Sequence, residues 1–284
     1  MLSFCLLKEC KRLNINPNKR SAHILVFDSG LGGTTILVEL KKQLPDCSYS
    51  YAMDNAVFPY GSQSDAFLLQ RCLPLFAKLI AHDKPDIVVI ACNTASTLFL
   101  KLLREQYPNL PFIGVVPAIK PAALATKTGV IALLATPATI QRHYIDLLSD
   151  QYANACQLIR FSHPDLALLA EQKMRGQAPL QERFDSIFAD FKQHPKAALI
   201  DTFILGCTHY PAIAEELAKA WARDVQWLDS TAAIAKRAKN LLDEMTSDAT
   251  ARQTHLLLTS AKEQQLIQQS VANFQFKSCE VVEI

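Results

Sequence analysis

Two short segments of the 284-residue chain carry the residue types best suited to chemistry: Asp86-Ile-Val-Val-Ile-Ala-Cys92-Asn93-Thr94 and Asp201-Thr-Phe-Ile-Leu-Gly-Cys207-Thr208-His209. Each runs Asp, five mostly apolar residues, then Cys, and the two thiols are 115 positions apart. An apolar run of that length reads as a buried strand. A thiol at its end, where a helix starts, sits near free N–H groups and a positive dipole end, which lower its pKa from about 8.5. Such a thiol can act as base, nucleophile or metal ligand. A buried structural cysteine is the plain alternative. The repeated pattern argues for two similar halves, each presenting one thiol from the same place. His209 follows Cys207 by two residues and can pair with a thiolate or a carboxylate near neutral pH. The other six histidines show no ligand spacing, so no metal site is expected.

A third segment, Phe27-Asp28-Ser29-Gly30-Leu31-Gly32-Gly33-Thr34, reads as a strand, a tight turn and a helix start. Such a turn aims N–H groups at an anion. Its G-x-G-G spacing matches neither a dinucleotide fingerprint nor a P-loop, so a small carboxylate is the expected ligand. Asp28 is either a turn former or a site carboxylate. Asp54-Asn55 and Pro59-Tyr60-Gly61 form a second polar loop. Glycine is rationed to eight, and five of them (30, 32, 33, 61 and 206) fall in these loops.

The elements that must hold these loops alternate. Strands are expected at 23–27, 49–53, 86–90, 111–115, 129–134 and 199–205. Helices are expected at 34–44, 65–82, 94–106, 137–149, 164–174, 179–193 and 210–222. Alternation of this kind is the mark of an α/β fold with a mainly parallel sheet covered on both faces, and ligands bind beyond the carboxyl ends of its strands.

Composition narrows the function. Half the residues are hydrophobic and a fifth are charged, an ordinary globular balance. The net charge is +2, and residues 1–20 alone carry +4, so the rest is near neutral and no nucleic-acid partner is expected. The eight cysteines form no CxxC pair, which points to free thiols in a reducing cytosol. The N-terminal apolar run is short and precedes its charges, unlike a secretory signal, and no stretch nears the ~20 apolar residues of a membrane span. A cytoplasmic protein away from membranes is expected.

Read together, the motifs around Asp28, Asp54-Asn55-Ala56-Val57-Phe58-Pro59-Tyr60-Gly61, Cys92 and Cys207 resemble the glutamate racemase family. So do Gly114-Val-Val-Pro-Ala-Ile-Lys-Pro121 and Trp227-Leu-Asp-Ser230. The resemblance covers about residues 22–245; the tail 1–20 and the last ~40 residues add little to it. It implies two pseudo-symmetric α/β domains with the active site in the cleft between them. The first would span 21–116 plus 228–284, the second 117–227, with 1–20 an N-terminal extension. It implies cofactor-independent racemisation in which one thiolate takes the α-proton of glutamate and the other thiol returns a proton on the opposite face. Cys92 would act on D-glutamate and Cys207 on L-glutamate. Asp28 would assist Cys92, and His209 and Glu171 would lie beside Cys207. Asp28, Ser29, Tyr60, Gly61, Asn93, Thr94, Thr208 and His209 would bind substrate, and Asp54 matches a further family acid. D-Glutamate for peptidoglycan synthesis is the implied product, and some members use a muramyl-peptide precursor as activator or form homodimers. Two other classes stay open on the residues alone. One is a hydrolase using Cys207 and His209, the other a non-catalytic anion-binding protein.

Overall fold

The computed structural model describes residues 22–245 and 252–283. The expected extension 1–20 lies outside them. Two parallel sheets are built in chain order. The first unit runs β1 (His23–Asp28), α1 (Thr34–Gln43), β2 (Ser48–Met53), α2 (Asp65–Asp83), β3 (Ile87–Ile90), α3 (Asn93–Gln106) and β4 (Phe112–Gly114). The second runs α4 (Ile119–Ala125), β5 (Val130–Leu134), α5 (Pro137–Ile140), α6 (His143–Tyr152), β6 (Gln157–Phe161), α7 (Asp165–Met174), α8 (Gln181–Lys192), β7 (Thr202–Leu205), α9 (Ala214–Trp221) and β8 (Gln226–Leu228). The chain then returns to the first sheet through α10 (Thr231–Glu244), β9 (His255–Leu258), α11 (Gln264–Ser270) and β10 (Ser278–Val281).

The strand orders are β10-β9-β2-β1-β3-β4 and β6-β5-β7-β8. Within each, the first four strands take the same second-first-third-fourth order, so the expected pseudo-symmetry holds at the level of topology. Period-two alternation explains why both faces are covered. In β1, Ile24 and Val26 enter one core and Leu25 and Phe27 the other. In β5, Val130, Ala132 and Leu134 point one way and Ile131 and Leu133 the other. The acid opening each Cys segment has a structural task. Asp86 accepts from the His23 N–H at the start of β1 (2.8 Å), and Asp201 from the Lys127 and Thr128 N–H groups just before β5 (2.7 and 2.9 Å). Burial opposes ionisation of Asp201, but the Thr126 hydroxyl and these N–H groups outweigh it and hold the carboxyl at about 2.

Several expectations change. The helix expected over 137–149 breaks between α5 and α6, where Arg142 turns out to meet Asp65 across the cleft (2.5 and 2.6 Å). The segment 210–222 opens with a 3-10 turn, Tyr210–Ile213, before α9. β7 begins at Thr202, because residues 197–199 form another 3-10 turn. α4, β6, β8, α10 and all elements after residue 245 were not foreseen. β9 and β10 extend the first sheet beside β2. Among the described residues no helix is long and apolar enough to cross a membrane.

Leu257 in β9 is buried among Leu25, Phe27 and Phe76. Leu257→Ala is expected to cost about 2–5 kcal/mol, read as a lower urea midpoint. An unchanged midpoint would mean that the late strands carry no share of the core.

Candidate active site

Each thiol stands two residues beyond the end of the third strand of its sheet, Cys92 after β3 and Cys207 after β7. Both are buried, and both line one cavity of about 20 Å3. Ser29, Tyr60, Gly61, Asn93, Thr94, Thr208 and His209 line it too, with Phe58, Thr136 and Ala167. That volume holds about one water. Two of the sequence candidates stand behind this lining. Asp28 sits behind Ser29 and Thr208, and Glu171 behind His209.

On the Cys92 side, the Ser29 hydroxyl lies 4.0 Å from the thiol and 3.3 Å from Asp28 Oδ1. Asp28 also accepts from the Gly30 N–H (3.0 Å) and, across the cleft, from the Thr208 hydroxyl (2.8 Å). Asp28 therefore reaches Cys92 through Ser29. Burial pushes the Asp28 carboxyl up, against the lowering effects of His209, Gly30 and Thr208. Cys92 caps α3, and the Ala95 N–H favours its thiolate, but burial and then the charge of Asp28 push the thiol well up. The expectation of a thiol lowered by its helix is overturned here: desolvation outweighs the dipole.

On the Cys207 side, His209 Nδ1 lies 3.8 Å from the sulfur. His209 Nε2 lies 2.9 Å from Glu171 Oε2 and 3.2 Å from the Gly32 nitrogen. One nitrogen cannot donate to the first and accept from the second, so the ring proton decides between them. Burial disfavours the imidazolium, but the contacts with Cys207 and Glu171 outweigh it and raise His209 well above its ordinary value. Nε2 then donates to Glu171. Burial likewise opposes ionisation of Glu171, yet His209, the Leu31 N–H (2.8 Å) and Arg175 hold its carboxyl below the usual range.

Asp54 accepts from Arg71 through two nitrogens (2.8 and 2.7 Å) and from the hydroxyls of Tyr60 (2.6 Å) and Thr259 (2.5 Å). The Tyr60 hydroxyl is thus spent on anchoring its loop, and Tyr60 meets the cavity with other atoms. The Asn93 amide oxygen is buried without a hydrogen-bond partner among the described residues. Thr94, Thr136 and Thr139 converge, with hydroxyl separations of 2.9–3.3 Å. Sequence reasoning missed Thr136 and Thr139. The available signal was position: Thr136 follows β5 as Ser29 follows β1, and a methyl on Gly61 would lie 2.5 Å from its Cβ.

Residues 32–238 match the Asp/Glu/Hydantoin racemase family. The chain belongs to that family. It is 43% identical over 241 residues to the glutamate racemase of Shewanella loihica, covering 85% of this chain and 89% of the relative. Its structure is similar to that of Escherichia coli glutamate racemase in complex with L-glutamate and the activator UDP-MurNAc-ala. The TM-score is 0.85 and the identity 35%, over 92% of this chain and 98% of that one. It is also similar to the Francisella tularensis glutamate racemase in complex with D-glutamate, at a TM-score of 0.73 and 25% identity, over 93% and 98% of the two chains.

In this racemase the glycine-rich turn works differently from the expected ligand cradle. Its N–H groups face the protein's own side chains: Gly30 donates to Asp28, and Leu31 to Glu171 from the other half. The glycines make room for a ring. A methyl on Gly32 would lie 2.3 Å from His209 Nδ1. Gly32→Ala must therefore expel the imidazole. Racemase turnover should fall about 10²-fold, the cost of misplacing a site group by about an ångström, while thermal unfolding stays cooperative. Unchanged turnover would show that His209 need not occupy this position.

Proposed function

We propose that the chain interconverts L- and D-glutamate by proton transfer between two thiols, as a cytoplasmic enzyme supplying D-glutamate for peptidoglycan synthesis. The observation that carries this reading is that Cys92 from one sheet and Cys207 from the other line the same small cavity. A hydrolase built on Cys207 and His209 has no use for the second thiol. L- and D-glutamate, named with the Escherichia coli and Francisella tularensis structures, are the enantiomers assigned to the two faces. Six free cysteines among the described residues suit a reducing compartment.

With L-glutamate, the Cys207 thiolate takes the α-proton. The electron pair of the broken C–H bond moves onto the α-carbon and its carboxylate. Cys92 then gives its thiol proton to the opposite face, leaving D-glutamate, a thiol at Cys207 and a thiolate at Cys92. D-Glutamate runs the same steps backwards, and solvent exchange resets the enzyme after each turnover. Burial suits Cys92 to keep its proton until a carbanion-like centre needs it. The His209 imidazolium stabilises the Cys207 thiolate. The unpartnered Asn93 oxygen is an acceptor for the substrate ammonium. The Thr94, Thr136 and Thr139 hydroxyls are neutral donors for a carboxylate. Proton transfer of this kind contributes about 10²–10⁴-fold per group.

A cavity for about one water admits glutamate only when the halves part. The proposed division, 21–116 plus 228–284 against 117–227, gives two crossings, the second at Leu228, the last residue of β8 and still paired in the second sheet, and Ser230 joins them by donating to the Val116 carbonyl. Closure around that joint re-forms the contacts across the cleft and excludes water.

Incubating the protein with either enantiomer in D2O tests the reading, following optical rotation and α-deuteration together. Both signals are expected with no added cofactor. Cys92→Ala is expected to lose inversion and keep at most slow deuteration of L-glutamate; Cys207→Ala should keep it only for D-glutamate. Near-normal racemisation by either variant sinks the two-thiol mechanism. A parallel arm with UDP-MurNAc-ala tests activation, and an unchanged rate there would remove the precursor as a partner.

A further inference from the structure

Glu171 divides its two oxygens between two tasks. Oε2 faces the site, taking the Leu31 N–H (2.8 Å) and His209 Nε2 (2.9 Å). Oε1 faces away and takes two hydrogen bonds from one guanidinium, Arg175 Nε (2.9 Å) and Nη2 (2.8 Å). Arg175 lies one helical turn on from Glu171, at the end of α7, and its backbone N–H also closes that helix. Its third nitrogen, Nη1, crosses the cleft to Glu263, just before α11. The side chain is 12% exposed and forms one wall of a cleft of about 460 Å3 that also reaches Glu171 and Phe58. Arg175 does not line the cavity that holds the thiols.

We propose that Arg175 is a positioning residue of the racemase: it fixes the carboxylate that aims His209 at Cys207, and through Glu263 it completes that arrangement only when the two halves are closed. The inference rests on the two-thiol reading above. A fork is needed, because two N–H groups on one oxygen set the rotation of the carboxylate, and a lysine supplies charge without that constraint. The cation also balances the charge of Glu171 from the side away from His209. Around His209 stand Cys207 and Tyr210 from its own loop, Glu171 and Arg175 from α7, and Asp28 and Cys92 from the first sheet's strand ends. Tyr51 and Glu263 lie beyond them. With His209 protonated, Arg175 is the second cation within hydrogen-bond reach of Glu171. Removing it strengthens the hold of Glu171 on its proton, so an acidic limb set by Glu171 moves to higher pH.

Arg175→Met, Arg175→Lys and Glu263→Gln are compared with the wild-type protein in the D2O assay across pH. Absence of racemisation in the wild type would fail the underlying reading, not this one. Arg175→Met is expected to lower kcat about 10²-fold, the cost of a misplaced site group, and to move the acidic limb of kcat/KM to higher pH. Arg175→Lys should keep the limb in place and still lose about 10-fold in kcat, since charge remains and the fork is gone. Glu263→Gln should keep the limb and lower kcat less than Arg175→Lys does. A merely structural role would lower the folded fraction without moving the limb. If Arg175→Met does not fold, Arg175→Lys decides alone: a reduced kcat with an unmoved limb supports the inference. Wild-type kcat in Arg175→Lys, or an unmoved limb in folded Arg175→Met, overturns it.

Discussion

The geometry of the site depends on a small set of hydrogen bonds that cross from the loops of one sheet to those of the other. Thr208 donates to Asp28 (2.8 Å), Leu31 to Glu171 (2.8 Å) and Thr35 to the Thr208 carbonyl (3.3 Å), and Thr94 meets Thr136 (3.2 Å). Arg142–Asp65 and Arg175–Glu263 tie the rims. Neither sheet alone brings two sulfurs to one cavity. Each contact is modest, because a typical hydrogen bond nets about 0.5–1.5 kcal/mol. Together they hold the loops of both sheets around one cavity.

Charge inside the closed site is sorted by partners and not by depth. Asp28 and Glu171 are both almost fully buried, yet the first is pushed up and the second held down. Burial acts the same way on both. Glu171 has an imidazolium and a guanidinium within hydrogen-bond reach, whereas Asp28 accepts only from neutral hydroxyls and an N–H, with His209 acting on it at a distance. Glu171 is therefore a fixed anion that holds His209 charged. Asp28 is a carboxyl whose proton is more easily retained, and its neighbour Cys92 holds its own proton strongly. The half-site of Cys92 is built to hold a thiol, whereas that of Cys207 sets an imidazolium beside its sulfur.

Much of this was legible in the residues. The two Cys segments stood out because strand length and thiol position coincide, and the structure places both after the third strand of matching sheets. The glycine-rich turn was located but its ligand was misread, because the groups its N–H donors and its glycines accommodate, Glu171 and His209, come from about 140 and 177 residues away. Thr136 escaped notice because Ala135-Thr136-Pro137 contains neither glycine nor cysteine, and its meaning comes only from standing where Ser29 stands in the other half. β9 pairs with β2, some 200 residues back, so no local pattern announces that the late chain completes the first sheet. The break at Arg142 follows from a partner on α2 that periodicity cannot register.

The unlike half-sites must still serve a reaction whose two directions are equivalent. Enantiomers have equal free energies in water, so the equilibrium constant of racemisation is one, and kcat/KM must be equal in the two directions whatever surrounds each thiol. Supporting Cys207 with His209, Glu171 and Arg175, and Cys92 with Ser29 and Asp28, therefore cannot favour one direction at low substrate. What it can do is place the resting proton. In the two-thiol mechanism proposed above, the form with a thiolate at Cys207 and a thiol at Cys92 would accept L-glutamate, and the reverse form D-glutamate. Differential stabilisation sets how much enzyme waits in each form, so it appears in KM and kcat separately and cancels in their ratio. Under that proposal, a fold made of two similar halves supplies the opposed thiols, and the dissimilar residues behind them would set which enantiomer finds the enzyme ready.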